Sequence, residues 1–211
     1  MESLNYTIGM AGTAAFAVTA VLAVAPKGID LFGVCVMGIV TAIGGGTLRD
    51  IILGVPVFWA TDLNYIWVAL GASVAAFAAQ SLFTRKEMYR LLLYIDGLAV
   101  ALFAIQAANK VWTLQFGLPL APILLGIITA IGGGLIRDVL AGRQNLLMTR
   151  ELYAVPVLFG CTLFVVAMVL FPQYQSIAGI TCVMSIFIFR VAAIHWGLCV
   201  PDWLSTRPKT E

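Results

Sequence analysis

The sequence contains the same glycine-rich segment twice, each copy inside a long apolar stretch. GIVTAIGGGTLRD covers residues 38–50, and GIITAIGGGLIRD covers residues 126–138. Aligned over 38–54 and 126–142, the two copies share eleven of seventeen residues at a constant offset of 88. A repeat of this quality indicates that the chain is built from two copies of one structural unit.

The stretches that surround both copies are too apolar for a soluble protein. The chain of 211 residues is 62% hydrophobic and 10% charged, whereas an ordinary soluble domain is about 25% charged. About 20 apolar residues in a helix cross the hydrocarbon core of a bilayer, and continuous apolar runs indicate helices rather than barrel strands. The predicted spans one to seven are residues 5–25, 31–53, 62–83, 91–109, 119–141, 151–171 and 175–200.

The offset places three spans in each copy, so the second copy enters the membrane from the opposite side. The two copies are then related by a pseudo-two-fold axis in the membrane plane, as in many transport proteins. We therefore expect an all-α membrane protein of seven transmembrane helices, an inverted 3+3 helix repeat plus a seventh helix. The expected parts are a first repeat over residues 1–86, a second repeat over residues 87–174, and the seventh helix with a cytoplasmic C-terminal tail over residues 175–211.

Basic residues outside the spans predict the orientation. Eight lie on the side that holds the C-terminus, and only Lys110 lies on the other side. By the positive-inside rule the N-terminus is outside and the C-terminus is cytoplasmic. The net charge of +2 is therefore explained by topology, and we expect no nucleic-acid binding. The eight residues are Lys27, Arg85, Lys86, Arg90, Arg143, Arg150, Arg207 and Lys209.

The two glycine triplets lie near the middle of spans two and five. Each glycine costs a helix about 1 kcal/mol relative to alanine, so we expect both helices to kink or open at the triplets. Irregular backbone at membrane depth is tolerated only where it is buried in protein or lines a water-filled cavity. The alternative is close packing, in which glycine lets two helix backbones approach each other.

An Arg–Asp pair follows each triplet, Arg49 with Asp50 and Arg137 with Asp138. An arginine at the centre of a membrane helix costs about 3 kcal/mol, so both should face the protein interior or water. Neighbouring residues diverge by about 100° around a helix, so we expect each arginine to pair with a carboxylate elsewhere or with a freed carbonyl. Two interpretations stay open: a purely structural salt network, or a polar path that the pairs line and gate.

Four other residues within the spans have two interpretations each. Asp96 has no acidic counterpart in the first copy, which favours a role of its own over a charge at the cytoplasmic entry of its helix. Thr41 and Thr129 either contribute hydroxyls to a path or cap backbone carbonyls. Arg190 is expected to extend to the cytoplasmic face rather than to reach the path. The candidate path residues are Gly44, Gly45, Gly46, Arg49, Asp50, Gly132, Gly133, Gly134, Arg137, Asp138, Asp96, Thr41 and Thr129.

The sequence contains no recognisable catalytic constellation. A single histidine excludes a histidine-based metal cluster, no phosphate-binding loop with its lysine is present, and no serine lies beside a base. We therefore expect no enzyme activity, no cofactor and no metal site.

Seven spans, the inverted repeat and the paired GGGxxRD signatures at residues 44–50 and 132–138 resemble the prokaryotic trimeric intracellular cation channel family over essentially the whole chain. The resemblance implies a homotrimer in the prokaryotic inner membrane, with lipid filling gaps near its axis. Each protomer would have its own potassium-permeable pore around kinked spans two and five. Potassium or other monovalent cations and membrane lipids would then be its partners. Bacterial proteins with this duplicated domain are also labelled glycine transporters, so a glycine or other small-solute secondary transporter is the alternative.

Overall fold

The computed structural model describes residues 2–149 and 151–201, and almost all of them are helical. One isolated β-bridge joins Glu151 to Cys199. Short 3-10 helices cover Ala25–Lys27, Gln80–Leu82, Leu146–Met148 and Pro172–Tyr174. The α-helices of the described residues are α1 (Glu2–Val24), α2 (Leu31–Leu53), α3 (Phe58–Thr61), α4 (Asn64–Ala79), α5 (Arg85–Thr113), α6 (Leu120–Leu140), α7 (Val155–Leu170) and α8 (Gln175–Trp196).

Seven of these helices correspond to the seven predicted spans, and the predicted all-α membrane fold is confirmed. Spans one to seven are α1, α2, α4, α5, α6, α7 and α8. All but α7 are long and apolar enough to cross a membrane, and α7 is a shorter apolar helix of 16 residues. Arg150, Arg207, Lys209 and most of the predicted cytoplasmic tail lie outside the described residues.

Helix α5 is longer than the predicted fourth span at both ends. It begins at Arg85 because Thr84 and Glu87 form a capping box: Glu87 Oε2 accepts from the Thr84 backbone N–H at 2.8 Å, and Thr84 Oγ1 accepts from the Glu87 N–H at 3.4 Å. Such a box satisfies the free N–H groups of the first turn. The helix ends at Thr113, so that Lys110 lies in its last turn rather than in a loop.

The core lies around α1 and α5, which are the most buried of the long helices. Helix α1 packs against α2 and α4, and α5 packs against α6 and α7. The two groups meet where α1 contacts α5 and where α2 contacts α6, and α8 packs against α5 and α7. At the α1–α5 contact the rings of Phe16 and Phe103 stack with their centroids 5.4 Å apart.

Helices α2 and α6 cross at the glycine triplets with their backbones in contact. A Cβ placed on Gly45 would lie 2.1 Å from the carbonyl oxygen of Thr129, and one on Gly133 would lie 2.5 Å from the carbonyl oxygen of Thr41. The two contacts are equivalent at the repeat offset of 88, and the order of the residues shows that the helices run antiparallel. A reciprocal contact of this kind is what a two-fold relation between the copies produces.

The glycine triplets do not open the helices, so of the two predicted outcomes, a kink or an opening, the opening is wrong and the kink stays a prediction. Helix α2 is continuous over Leu31–Leu53 and α6 over Leu120–Leu140. The low helix propensity of glycine is offset by close packing, since no other residue lets the two backbones approach this closely. The close-packing alternative therefore describes Gly45 and Gly133 correctly.

We expect Gly45→Ala and Gly133→Ala each to destabilise the protein by about 1–3 kcal/mol, the usual cost of overpacking. The added methyl group would meet backbone atoms, which cannot rotate away as a side chain can. The measurement is thermal unfolding of the purified protein in detergent. Gly71→Ala in α4 is the matched control, because its Cβ would meet nothing within 4 Å. Equal melting temperatures for all three variants would contradict the prediction.

Candidate functional site

The first Arg–Asp pair lies near the end of α2, where Asp50 is fully buried. Arg49 Nε donates to Asp50 Oδ1 at 2.8 Å, and Lys110 Nζ of α5 donates to the same oxygen at 2.7 Å. The other oxygen, Oδ2, accepts the backbone N–H of Phe58 at 2.9 Å. The guanidinium of Arg49 also lies over the Phe58 ring, 5.7 Å from its centroid. The buried carboxylate is therefore held by two cations and one backbone group.

The second pair repeats this geometry near the end of α6. Arg137 Nε donates to Asp138 Oδ1 at 2.9 Å. The backbone N–H of Leu146 donates to Asp138 Oδ2 at 3.4 Å. Leu146 and Phe58 are separated by the repeat offset of 88, so the two aspartates bind equivalent groups of the two copies.

Asp96 of α5 supplies the second partner of Arg137. Arg137 Nη1 donates to Asp96 Oδ1 at 2.7 Å and to Thr19 Oγ1 at 2.9 Å, and all three residues are fully buried. Arg137 therefore does bind a carboxylate from elsewhere in the chain, as expected from the sequence, and that carboxylate is Asp96. The alternative interpretation of Asp96, a charge at the cytoplasmic entry of its helix, is wrong. Helix α5 begins at Arg85, about three turns before Asp96.

Each arginine pairs with its own neighbour, contrary to the expectation that adjacent residues on a helix are poor partners. The Cβ atoms do diverge around the helix. However, an arginine stem is long and flexible, so Nε folds back to the short aspartate side chain at 2.8 Å in one copy and 2.9 Å in the other. This arrangement leaves the outer nitrogens of the guanidinium available, and Arg137 uses one of them for Asp96.

Arg190 of α8 is buried, and the prediction that it extends to the cytoplasmic face is wrong. Its Nη1 donates to the carbonyl of Leu152 at 2.9 Å, and its guanidinium lies over the ring of Tyr153, 4.8 Å from the centroid. Gly97, next to Asp96, faces the stem, since a Cβ there would lie in ordinary van der Waals contact with Arg190 Cβ at 3.4 Å. No signal in the sequence distinguishes it from an arginine that reaches the interface, because its position within an apolar span fits both.

Two cavities lie on opposite sides of the α2–α6 crossing, and they share no lining residue. The Lys110 cavity, of about 340 Å³, is lined by Arg49, Lys110 and polar groups of α1 and α5 that include Asn5, Gln106 and Asn109. The Asp138 cavity, of about 260 Å³, is lined by Asp138, Arg143, Gln144, Thr149 and Tyr89 among others. Because the helices are antiparallel, Arg49 and Arg137 lie on opposite sides of the crossing. At a rise of 1.5 Å per residue, they are separated by about 18 Å along the helix axes.

The crossing itself separates the two cavities in this conformation. Thr41, Gly45, Thr129 and Gly133 are all buried there. Thr129 Oγ1 donates to the carbonyl of Leu125 at 2.6 Å. This hydrogen bond agrees with the interpretation that Thr129 caps a backbone carbonyl. Thr41 Oγ1 has no hydrogen-bond partner among the described residues. The polar groups thus lie at both ends of a tightly packed centre.

Comparison with known proteins places the chain among bacterial membrane proteins. A family model described as glycine transporter matches residues 6–81 and 93–169. The UPF0126 membrane protein of Vibrio cholerae is 37% identical, over 97% of this chain and 85% of that protein. The UPF0126 inner membrane protein YadS of Escherichia coli is 35% identical, over 95% of this chain and 96% of that protein. The solved trimeric intracellular cation channel orthologue from Rhodobacter sphaeroides is 33% identical, covers 93% of this chain and all of that one, and superposes with a TM-score of 0.87.

We expect Arg137→Met to destabilise the protein more than Arg49→Met. Without Arg137, the buried carboxylates of Asp96 and Asp138 lose their cation, a change that costs about 3–5 kcal/mol for a buried pair. Without Arg49, Asp50 keeps Lys110. Thermal unfolding in detergent measures the difference.

Addition of Asp96→Asn to Arg137→Met should recover part of the loss, because it removes one of the unpaired charges. A loss of stability as large in Arg49→Met as in Arg137→Met, with no recovery in the double variant, would contradict this account of the network.

Proposed function

The chain belongs to the trimeric intracellular cation channel family, and on that premise we propose that it conducts monovalent cations passively, with potassium as the physiological ion. The observation that carries the proposal is the pair of cavities, one on each side of the α2–α6 crossing in a single protomer, one lined by Arg49 of the first Arg–Asp motif and the other by Asp138 of the second. The Lys110 cavity presents the side-chain amides of Asn5, Gln106 and Asn109, and the Asp138 cavity presents the carboxylate of Asp138 and the hydroxyl of Thr149. Oxygen atoms of this kind replace the hydration shell of a cation.

The pore that we propose runs between α2 and α6, and it conducts when the two helices separate at their crossing. The glycines there have no side chains to disengage, so a small displacement of one helix opens a gap lined by backbone and by Thr41 and Thr129. Asp50, Asp138 and Asp96 offset the charges of Arg49 and Arg137 on the two sides of the crossing, and Lys110 adds one further positive charge beside Asp50. The proposed residues of the path are the thirteen candidates of the repeated segments and α5.

We propose that the protein assembles as a homotrimer with one pore per protomer and with lipid filling gaps near the trimer axis. The relative from Rhodobacter sphaeroides is named a trimeric channel. We also propose that the chain is organised as a repeat over residues 1–86, an inverted repeat over residues 87–174 and a seventh helix with its tail over residues 175–211. The two segments matched by the family model, 6–81 and 93–169, support this division because they leave α8 unmatched.

The principal test is a recording of purified protein in a planar bilayer under a KCl gradient, after native mass spectrometry has checked for three protomers. We expect discrete unitary currents whose reversal potential follows the potassium gradient, without glycine present. Arg49→Ala should alter these currents, because it removes a charge from the lining of the Lys110 cavity.

A carrier would give a different result in the same reconstituted protein. It would show saturable uptake or exchange of labelled glycine that is too slow for single events. Labelled-glycine transport in the absence of any potassium current would contradict the channel proposal and favour the alternative transporter.

We further propose that the protein lies in the prokaryotic inner membrane with its N-terminus outside and its C-terminus in the cytoplasm. The distribution of basic residues supports this orientation. Lys110, the one basic residue that the sequence assigned to a loop on the outer side, lies within α5 and pairs with Asp50. The relative from Escherichia coli is named an inner membrane protein.

Labelling of two matched single-cysteine variants tests the orientation. In a background without the four native cysteines, we expect Gln173→Cys, between α7 and α8, to react with an impermeant maleimide in intact spheroplasts. Gln144→Cys, between α6 and α7, should react only after permeabilisation, because it lies on the positively charged side. Both glutamines are exposed. The reverse pattern of labelling would invert the orientation.

A further inference from the structure

Lys110 is the feature that distinguishes the two otherwise equivalent Arg–Asp motifs. Asp50 and Asp138 each accept the Nε of the preceding arginine on one oxygen and an equivalent backbone N–H on the other. Within residues 2–149 and 151–201, Asp50 is the one of the two that also accepts an ammonium, from Lys110 Nζ at 2.7 Å. The residue equivalent to Lys110 at the offset of 88 is Leu22, which is buried and apolar. Repetition of the motif therefore does not explain the lysine.

The three charged groups around Asp50 differ in their freedom to move. Asp50 is fully buried, and Arg49 is 4% exposed and lies over the ring of Phe58. Lys110 is 32% exposed and lines the cavity of about 340 Å³. Its ammonium is a compact point charge on a flexible stem, unlike the planar guanidinium of Arg49. Lys110 is thus the member of the group that can leave the carboxylate and enter the cavity.

An alkylammonium group and a potassium ion are both monovalent cations that bind to oxygen. The position of Lys110 Nζ, 2.7 Å from Asp50 Oδ1, is therefore a position that a permeating ion would take. The amide side chains of Asn5, Gln106 and Asn109 line the same cavity. Asn109 Oδ1 accepts from Gln175 Nε2, so the side-chain oxygens of Asn5 and Gln106 are the further ligands that the cavity offers.

We propose that Asp50 is a binding site for a monovalent cation and that the ammonium of Lys110 occupies it as a tethered competitor. The inference rests on the proposed cation conduction and names a regulation of the same path. With Lys110 in place, the group formed by Arg49, Lys110 and Asp50 has a net charge of +1, which opposes entry of a cation. When the ammonium moves into the cavity, the site accepts an ion.

The competitor acts from one end of the path only, because the position equivalent to Lys110 is the apolar Leu22. Arg143 lines the Asp138 cavity, but it donates to the carbonyl of Ala23 and lies over the ring of Tyr89. A cation arriving from the Asp138 side displaces the ammonium outward into its own cavity. A cation arriving from the Lys110 side meets the ammonium first. The proposal therefore predicts that potassium current from the Asp138 side towards the Lys110 side exceeds the current in the opposite direction.

Substitution Lys110→Met keeps the length of the stem and removes the ammonium. Under symmetric KCl in a planar bilayer, we expect it to raise the potassium current from the Lys110 side about two- to fivefold, the range for loss of a partly exposed ion pair, and to abolish the rectification. Lys110→Arg keeps the charge and should keep the rectification. Lys27→Met is the matched control, because Lys27 is an exposed lysine away from the cavity. A folded Lys110→Met trimer with unchanged rectification would overturn the proposal.

A second measurement uses the wild-type protein and does not depend on current. Lys110 is labelled with an amine-reactive reagent in detergent, in KCl and in choline chloride of equal ionic strength, and the modified lysine is quantified by mass spectrometry. If potassium competes for Asp50, labelling of Lys110 rises with potassium while labelling of Lys27 stays constant. If labelling of Lys110 is the same in KCl and in choline chloride, the proposal of a tethered competitor is overturned, even if channel currents are recorded. Potassium-dependent labelling without currents supports the site at Asp50 and counts against conduction.

Discussion

The backbone contact between α2 and α6 is the constraint on which the rest of the structure depends. Two glycines, Gly45 and Gly133, approach carbonyl oxygens of the opposite helix so closely that any Cβ would collide with them. The contact fixes the crossing point and the antiparallel direction of the two helices. It thereby places one Arg–Asp pair on each side of the crossing, and it positions α1 and α5, which pack around it.

The second constraint is the cost of buried charge. A buried cation that loses its partner destabilises a protein far more than an intact pair stabilises it. The structure meets this constraint differently at the two ends: Asp50 is held between two cations, and Arg137 is held between two carboxylates. The buried Arg190, which lies over the ring of Tyr153 near Asp96, adds a further cation at the Arg137 end. The two ends of the pseudo-symmetric backbone therefore neutralise their buried charges with different sets of partners.

The sequence was sufficient for the fold and indicated that both Arg–Asp pairs lie in the protein interior, but it did not indicate that Lys110 pairs with Asp50 or that Arg190 is buried. The lengths of the continuous apolar runs predicted the seven membrane helices, because a membrane span needs such a run. The start of α5 was missed although the capping-box pattern at Thr84 and Glu87 is visible in the sequence. The burial of Arg190 could not have been predicted, because an arginine near the end of a span is equally able to reach the interface. The continuity of both helices through the glycine triplets could not have been predicted, since helix propensity alone does not include the packing partner.

Divergence between the two copies shows which parts the crossing requires and which parts it leaves free. The glycines, the Arg–Asp pairs and the backbone groups that bind the aspartates are equivalent at an offset of 88, whereas Lys110, Asp96 and Thr19 correspond to Leu22, Ile8 and Ala107. All three unmatched polar residues lie on α1 or α5, and none lies on the crossing helices. The crossing helices thus supply a nearly symmetric frame. The central helices supply the asymmetry, and any directionality of the proposed conduction has to arise from them.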